Sequence, residues 1–179
     1  PESASVIVRI AADITPPGPV VDTLFDGTVT LTPGTTFSVV PYQNLTAEYT
    51  VDSTTPLGAL NAASIAGSGF SYSVSDKSYA TKGILLLDEI GGYWYNKTTN
   101  LAWICQVNGV TLDDYGSPST DGFNIKEVYD GDQVDYYFGL KPVTPENATA
   151  VARILVRTET PPGDWNLAMN GRINRTISR

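Results

Sequence analysis

Short runs in which apolar and polar residues alternate recur along the chain, and Gly, Pro, Asn and Asp residues separate them. Such runs are typical of β-strands that turn one face toward a core. The predicted strands are 6–10, 28–32, 37–40, 47–51, 70–74, 84–87, 102–107 and 133–138, with further runs at 154–157, 165–169 and 173–177. The pattern therefore predicts a protein built mainly of β-sheet.

Pairs of residues that contain Gly mark the expected turns between these strands. Asp26-Gly27 and Pro33-Gly34 are expected to bracket the strand at 28–32. Asn108-Gly109 and Asn170-Gly171 predict tight hairpins, because both residues of such a pair adopt a positive φ at little cost.

One segment departs from the strand pattern and predicts a helix. Thr55 suits the N-cap, Pro56 suits the first helical position, and Gly67 provides a stop. The face expected to cover the sheet consists of Leu57, Leu60, Ser64 and Ile65. The predicted fold class is thus mainly β with one short helix (α+β).

A segment with prolines nearby, 143–149, is interpreted as a linker. It divides the chain into a domain at 1–142 and a C-terminal strand and hairpin extension at 143–179.

The two ends of the chain echo each other. The run VIVR at 6–9 precedes a Thr-Pro-Pro-Gly turn at 15–18, and ILVR at 154–157 precedes the same turn at 160–163. Either such runs and turns are simply common, or both ends form equivalent edge strands, one of which pairs with a neighbouring subunit.

Four signatures, in their order along the chain, resemble the transcobalamin-like C-terminal domain family. They are LFDGTVTL at 24–31, TPLGAL at 55–60 with GFSY at 69–72, DEIGGY at 88–93 with Trp103 and VNG at 107–109, and YDGDQV at 129–134. Residues 6–140 are covered by the likeness, which implies a β-grasp-like domain of a secreted bacterial or archaeal protein.

The resemblance also suggests a setting. A Pro-Leu-Gly-Ala-Leu helix start in an acidic, sequon-bearing chain looks most like surface proteins of methanogenic archaea, among which sheaths, surface layers and adhesive proteins are the plausible contexts. In cobalamin carriers the related domain helps to cover the corrinoid, but this chain has no His, the common lower ligand to cobalt. Ligand binding does not transfer with a fold, so no cofactor is expected.

Charge narrows the possible partners. The net charge is −8 and the pI is near 4.3, whereas nucleic-acid binders carry basic patches, so no nucleic-acid partner is expected. No apolar run approaches the roughly 20 residues of a membrane-spanning helix, so no membrane insertion is expected. A signal peptide is expected to have been removed already. The acidic surface either only keeps the protein in solution or also bridges to divalent cations.

The residues needed for most catalytic and metal sites are missing. The chain has no His and one Cys, and it has no phosphate-binding loop and no nucleophile elbow. We therefore expect neither enzyme activity nor a metal centre. Cys105 lies in a run that is apolar on both faces, which favours a buried thiol, with a disulfide between chains as the alternative.

Asp130 and Asp132 flank Gly131 in a short acidic segment. Turn formation is the favoured interpretation, and a weak calcium site is the alternative, since the spacing of an EF-hand is missing.

Four Asn-x-Ser/Thr sequons make glycans possible partners. About two would arise by chance in a chain of this composition. The candidate acceptors are Asn44, Asn96, Asn147 and Asn174.

Two aromatic blocks, 93–95 and 136–138, must place rings on both faces of a strand. Either both faces are buried, or some rings form an interface with a neighbour or a glycan. The interface candidates are Val6, Val8, Tyr95, Tyr137, Ile154, Val156 and Trp165.

Two functions fit these observations. The first is an extracellular structural protein of the cell-envelope surface, which assembles with copies of itself into a sheath, surface layer or filament through edge strands. The alternative is a secreted module that binds a small molecule, a sugar or a cobalamin-like cofactor.

Overall fold

The computed structural model describes residues 21–67, 69–112 and 121–159. These residues form ten strands and two helices. The strands are β1 (Asp22–Leu31), β2 (Thr36–Val39), β3 (Tyr49–Asp52), β4 (Tyr72–Ser75), β5 (Leu86–Ile90), β6 (Tyr93–Trp94), β7 (Leu101–Val107), β8 (Val110–Thr111), β9 (Gln133–Leu140) and β10 (Ala148–Thr158); the helices are α1 (Pro56–Ala66) and α2 (Tyr79–Lys82). The prediction of a mainly β, α+β fold is confirmed.

The strands form three sheets. The largest has the order β1-β10-β9-β7-β8, in which β1 runs parallel to β10 and the other pairs are antiparallel. Strands β2 and β3 form a hairpin, and β4, β5 and β6 form a three-stranded sheet.

The main core lies on one face of the five-stranded sheet, where α1 and strands of the two smaller sheets cover it. Alternate residues of β9, Val134, Tyr136 and Phe138, point into this core, as the period of a strand requires. A second, smaller cluster on the opposite face includes Tyr137 and Val151. Strands β9 and β10 therefore bury side chains on both faces of the sheet.

Helix α1 has the ends that the sequence predicts. Thr55 Oγ1 accepts a hydrogen bond from Gly58 N at 3.1 Å, and the N–H of Gly67 donates to Ala63 O at 2.9 Å. The predicted buried face is only partly right, because Ile65 is 77% exposed. Leu57 and Leu60 are buried, but the buried arc continues to Ala63, and Ile65 falls on the other side of the helix.

Gly58 lets the first turn of α1 pack closely on the chain just before the helix. A Cβ atom on Gly58 would overlap the backbone oxygen of Ser53. The glycine is therefore required by a backbone contact and not by an unusual φ angle.

Strand β10 corrects the predicted domain boundary. It lies between β1 and β9 and pairs with both, so the division between 142 and 143 is wrong for this strand. The supposed linker is the turn that joins β9 to β10, in which Asn147 N donates to Thr144 O at 3.2 Å. A proline-rich turn and a proline-rich linker look alike in sequence, because both need residues that end a strand.

A second correction concerns Asp26-Gly27, which is not a turn. Strand β1 runs through it in unbroken register with β10 from Asp26 to Leu31. The ring of Phe25 lies over Gly27, where an added Cβ would be 3.1 Å from the ring. The Asn108-Gly109 hairpin between β7 and β8 is found as predicted, with φ of 52° and 77°.

Several predicted features fall outside the described residues. They are the strand at 6–10 with Val6 and Val8, the hairpin at 165–177 with Trp165, and the sequon at Asn174.

We predict that Gly58→Ala destabilises the protein although Ala favours a helix by about 1 kcal/mol. The new methyl group would overlap a backbone oxygen that has no rotamer with which to move away, and overpacking of this kind costs about 1–3 kcal/mol or more. Denaturant unfolding should show a lower midpoint. Ile65→Ala, on the exposed side of α1, is the control and should change the midpoint little; an unchanged midpoint for Gly58→Ala would contradict the packing argument.

We also predict a loss of stability at alkaline pH that depends on Tyr72. Burial raises the pKa of Tyr72 to about 12, and its hydroxyl donates to Asn61 Oδ1 at 3.0 Å. Between pH 10 and 12 the phenol ionises in the unfolded chain but stays neutral in the folded one, so the stability present below pH 10 is lost as the pH rises. Over this window the protein should lose about 2–3 kcal/mol more free energy of unfolding than the Tyr72→Phe variant. Parallel curves for the two proteins would show that the phenol is not responsible.

Candidate functional site

A pocket of about 550 Å³ lies between β5 of the three-stranded sheet and β7 of the five-stranded sheet. Its floor is mainly apolar and comprises Leu86, Leu87, Ala102, Ile104, Leu112 and Phe123. Side chains of a strand alternate between its faces, so a pocket lined by consecutive residues follows the edge of the strand.

Incomplete strand pairing creates this pocket. Strand β7 has β9 on one side. On its other side, β8 pairs only with Gln106 and Val107, and the nearest further backbone hydrogen bonds are made by Leu101 and Cys105. On β5, strand β6 pairs only with Glu89 and Ile90. Among the described residues, no strand fills the space between the remaining parts of the β5 and β7 edges.

Three lysines stand at the pocket and give it a positive rim. Lys77 follows β4, Lys97 lies in the loop between β6 and β7, and Lys141 follows β9. The whole chain contains five lysines and carries a net charge of −8. The only acidic residue among the described pocket residues is Asp88. Counted over the described residues, the pocket is therefore positive on a protein that is acidic overall.

Two of these lysines are held by specific contacts. Lys141 Nζ lies 5.2 Å from the centre of the Tyr95 ring, within the range of a cation–π contact. Its backbone N donates to Asn100 O at 3.0 Å, which ties the end of β9 to the loop before β7. Lys77 Nζ lies 4.0 Å from Asp88 Oδ2.

Asp88 is a buried carboxylate. Its residue is 6% exposed, and Oδ2 has no hydrogen-bond donor among the described residues. Partial burial raises the pKa of the nearby Tyr42, and the negative charge of Asp88 raises it further. The ammonium group of Lys77 is thus the nearest compensating charge for Asp88 that the described residues provide.

The lysine rim could not be found from the sequence alone. Lys97 and Lys141 are brought together because Leu101 pairs with Leu140 at the adjoining strand ends. A spacing of more than forty residues between them carries no recognisable pattern.

The interface candidates separate into buried and exposed residues. Ile154 and Val156 are fully buried in the core, and Tyr137 is 7% exposed, so these three are not available as surface contacts. They were misassigned because β10, which contains Ile154 and Val156, and β9, which contains Tyr137, both lie inside the five-stranded sheet. Tyr95 is exposed and lines the pocket. Cys105 is buried, and it also lines the pocket.

Asp130 and Asp132 hold the turn before β9. Asp132 accepts from Asn108 Nδ2 at 2.8 Å and from Tyr129 N at 2.9 Å. Asp130 accepts from Thr158 N at 3.0 Å and lies 3.6 Å from Arg157. All four carboxylate oxygens face protein donors, as the turn interpretation requires. No group of three or more potential metal-ligating side chains occurs within 21–67, 69–112 and 121–159.

The side-chain amides of the three described sequon asparagines make different hydrogen bonds. Asn96 is exposed, and its Oδ1 accepts from the backbone N of Thr98 at 2.9 Å. Asn44 Nδ2 donates to Asp76 at 2.9 Å, and this hydrogen bond lowers the pKa of Asp76.

Asn147 is the most engaged of the three. Its Nδ2 donates to Pro142 O at 2.8 Å, and its Oδ1 accepts from Thr144 N at 2.8 Å. A glycan attached to Nδ2 would disturb this turn, so the geometry favours Asn96 over Asn147 as an acceptor.

Comparison with protein-family models, with curated proteins and with solved structures finds no match. The resemblance to the transcobalamin-like family therefore stays a prediction. In the part of the chain that the structure describes, no helix is long and apolar enough to cross a membrane.

We predict that Asn147→Asp lowers the free energy of unfolding by about 0.5–1.5 kcal/mol, because it replaces an exposed donor to a backbone oxygen with a carboxylate oxygen. The control is Asn96→Asp, which keeps the acceptor used by Thr98 and should change stability little. Chemical denaturation of both variants tests this. Equal effects of the two substitutions would show that Asn147 does not hold the turn.

Proposed function

We propose that this chain is an extracellular structural protein that assembles with copies of itself through edge-strand pairing into a sheath, surface layer or filament of the cell envelope. The observation that carries the proposal is the position of β1. This strand of ten residues ends the five-stranded sheet, and among the described residues it pairs on one side only, with β10.

The open side of β1 is long enough to accept another strand. After the bulge between Thr23 and Phe25, the strand is regular from Asp26 to Leu31. Unpaired backbone groups along such an edge favour strand addition. Each added bond contributes about 0.5–1.5 kcal/mol net, so one strand contact contributes a few kcal/mol and a lattice repeats it.

The strand that would be donated is at 6–10. It alternates Val6, Val8 and Ile10 with other residues and precedes the domain in sequence. The C-terminal run at 154–157, which the sequence also suggested, belongs to a central strand and is already paired on both sides. The proposal therefore uses the N-terminal member of the echoed pair.

Composition supports an extracellular setting for this assembly. The chain is acidic, and an exposed sequon stands at Asn96. An acidic surface keeps a densely packed protein hydrated. Divalent cations between subunits and glycans on them are the further partners of this proposal.

A second candidate function is a ligand-binding module. One specific observation favours it, namely the positive pocket with the apolar floor between β5 and β7.

We predict that deletion of residues 1–10 yields a folded protein that stays monomeric, because the donated strand is lost while every described strand remains. The intact chain should form large particles at micromolar concentration in electron micrographs and in light scattering. A Val6→Asp, Val8→Asp double variant should behave like the deletion.

The assembly test has two further arms. A synthetic peptide of residues 4–13 should bind the shortened protein, and the same peptide with Asp at positions 6 and 8 should not. If the shortened protein forms the same particles as the intact chain, or if the intact chain is a monomer, strand exchange through 6–10 is wrong.

A further inference from the structure

The pocket between β5 and β7 has the size and lining of a small-molecule site. A volume of about 550 Å³ lies within the range of roughly 300–1,000 Å³ that is usual for such sites. Its floor is built mainly by residues of β5 and β7, with Leu112 and Phe123 from outside the strands, and its rim by residues of turns and loops. A ligand with an apolar body and a polar group at one end would fit this arrangement of floor and rim.

The charge that the ligand's polar group should carry follows from the charges at the rim of the pocket. Within the described residues, neither Lys97 nor Lys141 has a carboxylate within 4.0 Å. Asp88 also lines the pocket, but Lys77 Nζ lies 4.0 Å from Asp88 Oδ2 and compensates its charge, so Lys97 and Lys141 are the ammonium groups left for a ligand. A ligand that enters the pocket therefore meets ammonium groups at the rim.

The position of the Lys141 ammonium group is also favourable for binding. The ring of Tyr95 supports Lys141, and the hydrogen bonds between Asn100 and Lys141 join the two lysine-bearing loops. Side chains that are already held lose less conformational freedom on binding, so more of the attraction appears as affinity. Close to an apolar floor, charges are also screened less than on an open surface.

From these features we propose that the pocket binds a small organic anion, a carboxylate, sulfonate or phosphate ester with an apolar body, with Lys97 and Lys141 binding the anionic group and the apolar body lying on the floor. This inference develops the second candidate function and does not depend on assembly. Assembly is measured by particle size and ligand binding by a probe, so either can fail alone.

The probe is 8-anilinonaphthalene-1-sulfonate, an anion with an aromatic body, used with the full chain. Its neutral counterpart is N-phenyl-1-naphthylamine, which has a similar body and no sulfonate. We expect the anion to bind at least tenfold more tightly by fluorescence titration and to bind more weakly as salt is added. Equal affinity of the two probes, or no binding of the anion, overturns the proposal.

Two matched charge variants test the lysines. Lys97→Gln with Lys141→Gln should weaken binding of the anion about tenfold or more and leave the neutral probe unchanged. Lys82→Gln with Lys126→Gln changes the net charge equally, at lysines that do not line the pocket, and should have little effect. Equal weakening by both pairs would mean that only the overall charge matters, which overturns the assignment.

Two neighbouring residues of β8 test the location. Thr111 lines the pocket, whereas Val110 is 68% exposed and does not. Thr111→Trp should block the anion, and Val110→Trp should not; equal binding by both variants places the probe elsewhere and overturns the proposal. Displacement of the probe by the peptide of residues 4–13 would identify a strand-binding slot instead, and would also overturn it.

Discussion

The packing of β10 is the constraint on which the rest of the structure depends. This strand is bonded on one side to β1 and on the other to β9, and its side chains are buried on both faces over most of its length. The first described strand is thus joined to the last one, and the elements between them must fold back over the sheet. Loss of β10 would remove the partner of β1 and half of the partners of β9.

The apolar pattern of β10 follows from this position. Ala150, Ala152 and Ile154 are all completely buried, and the small residues lie where the sheet faces α1 and its neighbours. Arg153 and Arg157 are on the other face, near Asp26 and Asp130. These ion pairs are exposed, and such pairs contribute little to stability, so apolar packing holds the strand in place.

The pocket lies at the other edge of the same five-stranded sheet, opposite β1. The main sheet ends in β8, a strand of only two residues, and the three-stranded sheet does not continue the ladder. Trp103 bridges the two sheets, because its indole Nε1 donates to Tyr93 O at 2.7 Å. The two edges are therefore held at a fixed distance while leaving space between them, which is the condition for a preformed cavity.

Most local signals could be predicted, with Asp26-Gly27 as the exception, and long-range pairing could not. The cap of Thr55, the stop at Gly67 and the Asn108-Gly109 hairpin depend on neighbouring residues, and the structure confirms them. The central position of β10 depends on its parallel pairing with β1, more than a hundred residues away. The alternation of apolar and polar residues in β10 resembles that of any strand and therefore does not reveal this position. For the same reason the sequence showed aromatic blocks but not the lysines around the pocket, which different loops contribute.

The parallel pairing of β1 with β10 also fixes a direction in the molecule. Asp22 lies opposite Ala150, and Leu31 lies opposite Thr158, so the described chain enters the sheet at one end and leaves it at the other. At about 3.3 Å per residue, these two ends are roughly 30 Å apart along the strands. In the proposed assembly, the donated strand and the edge of β1 that accepts it are different surfaces of the subunit. Two subunits that exchange the strand reciprocally would form a closed pair, whereas subunits that each pass it to the next would add head to tail, giving a ring or an open, polar chain whose two ends differ.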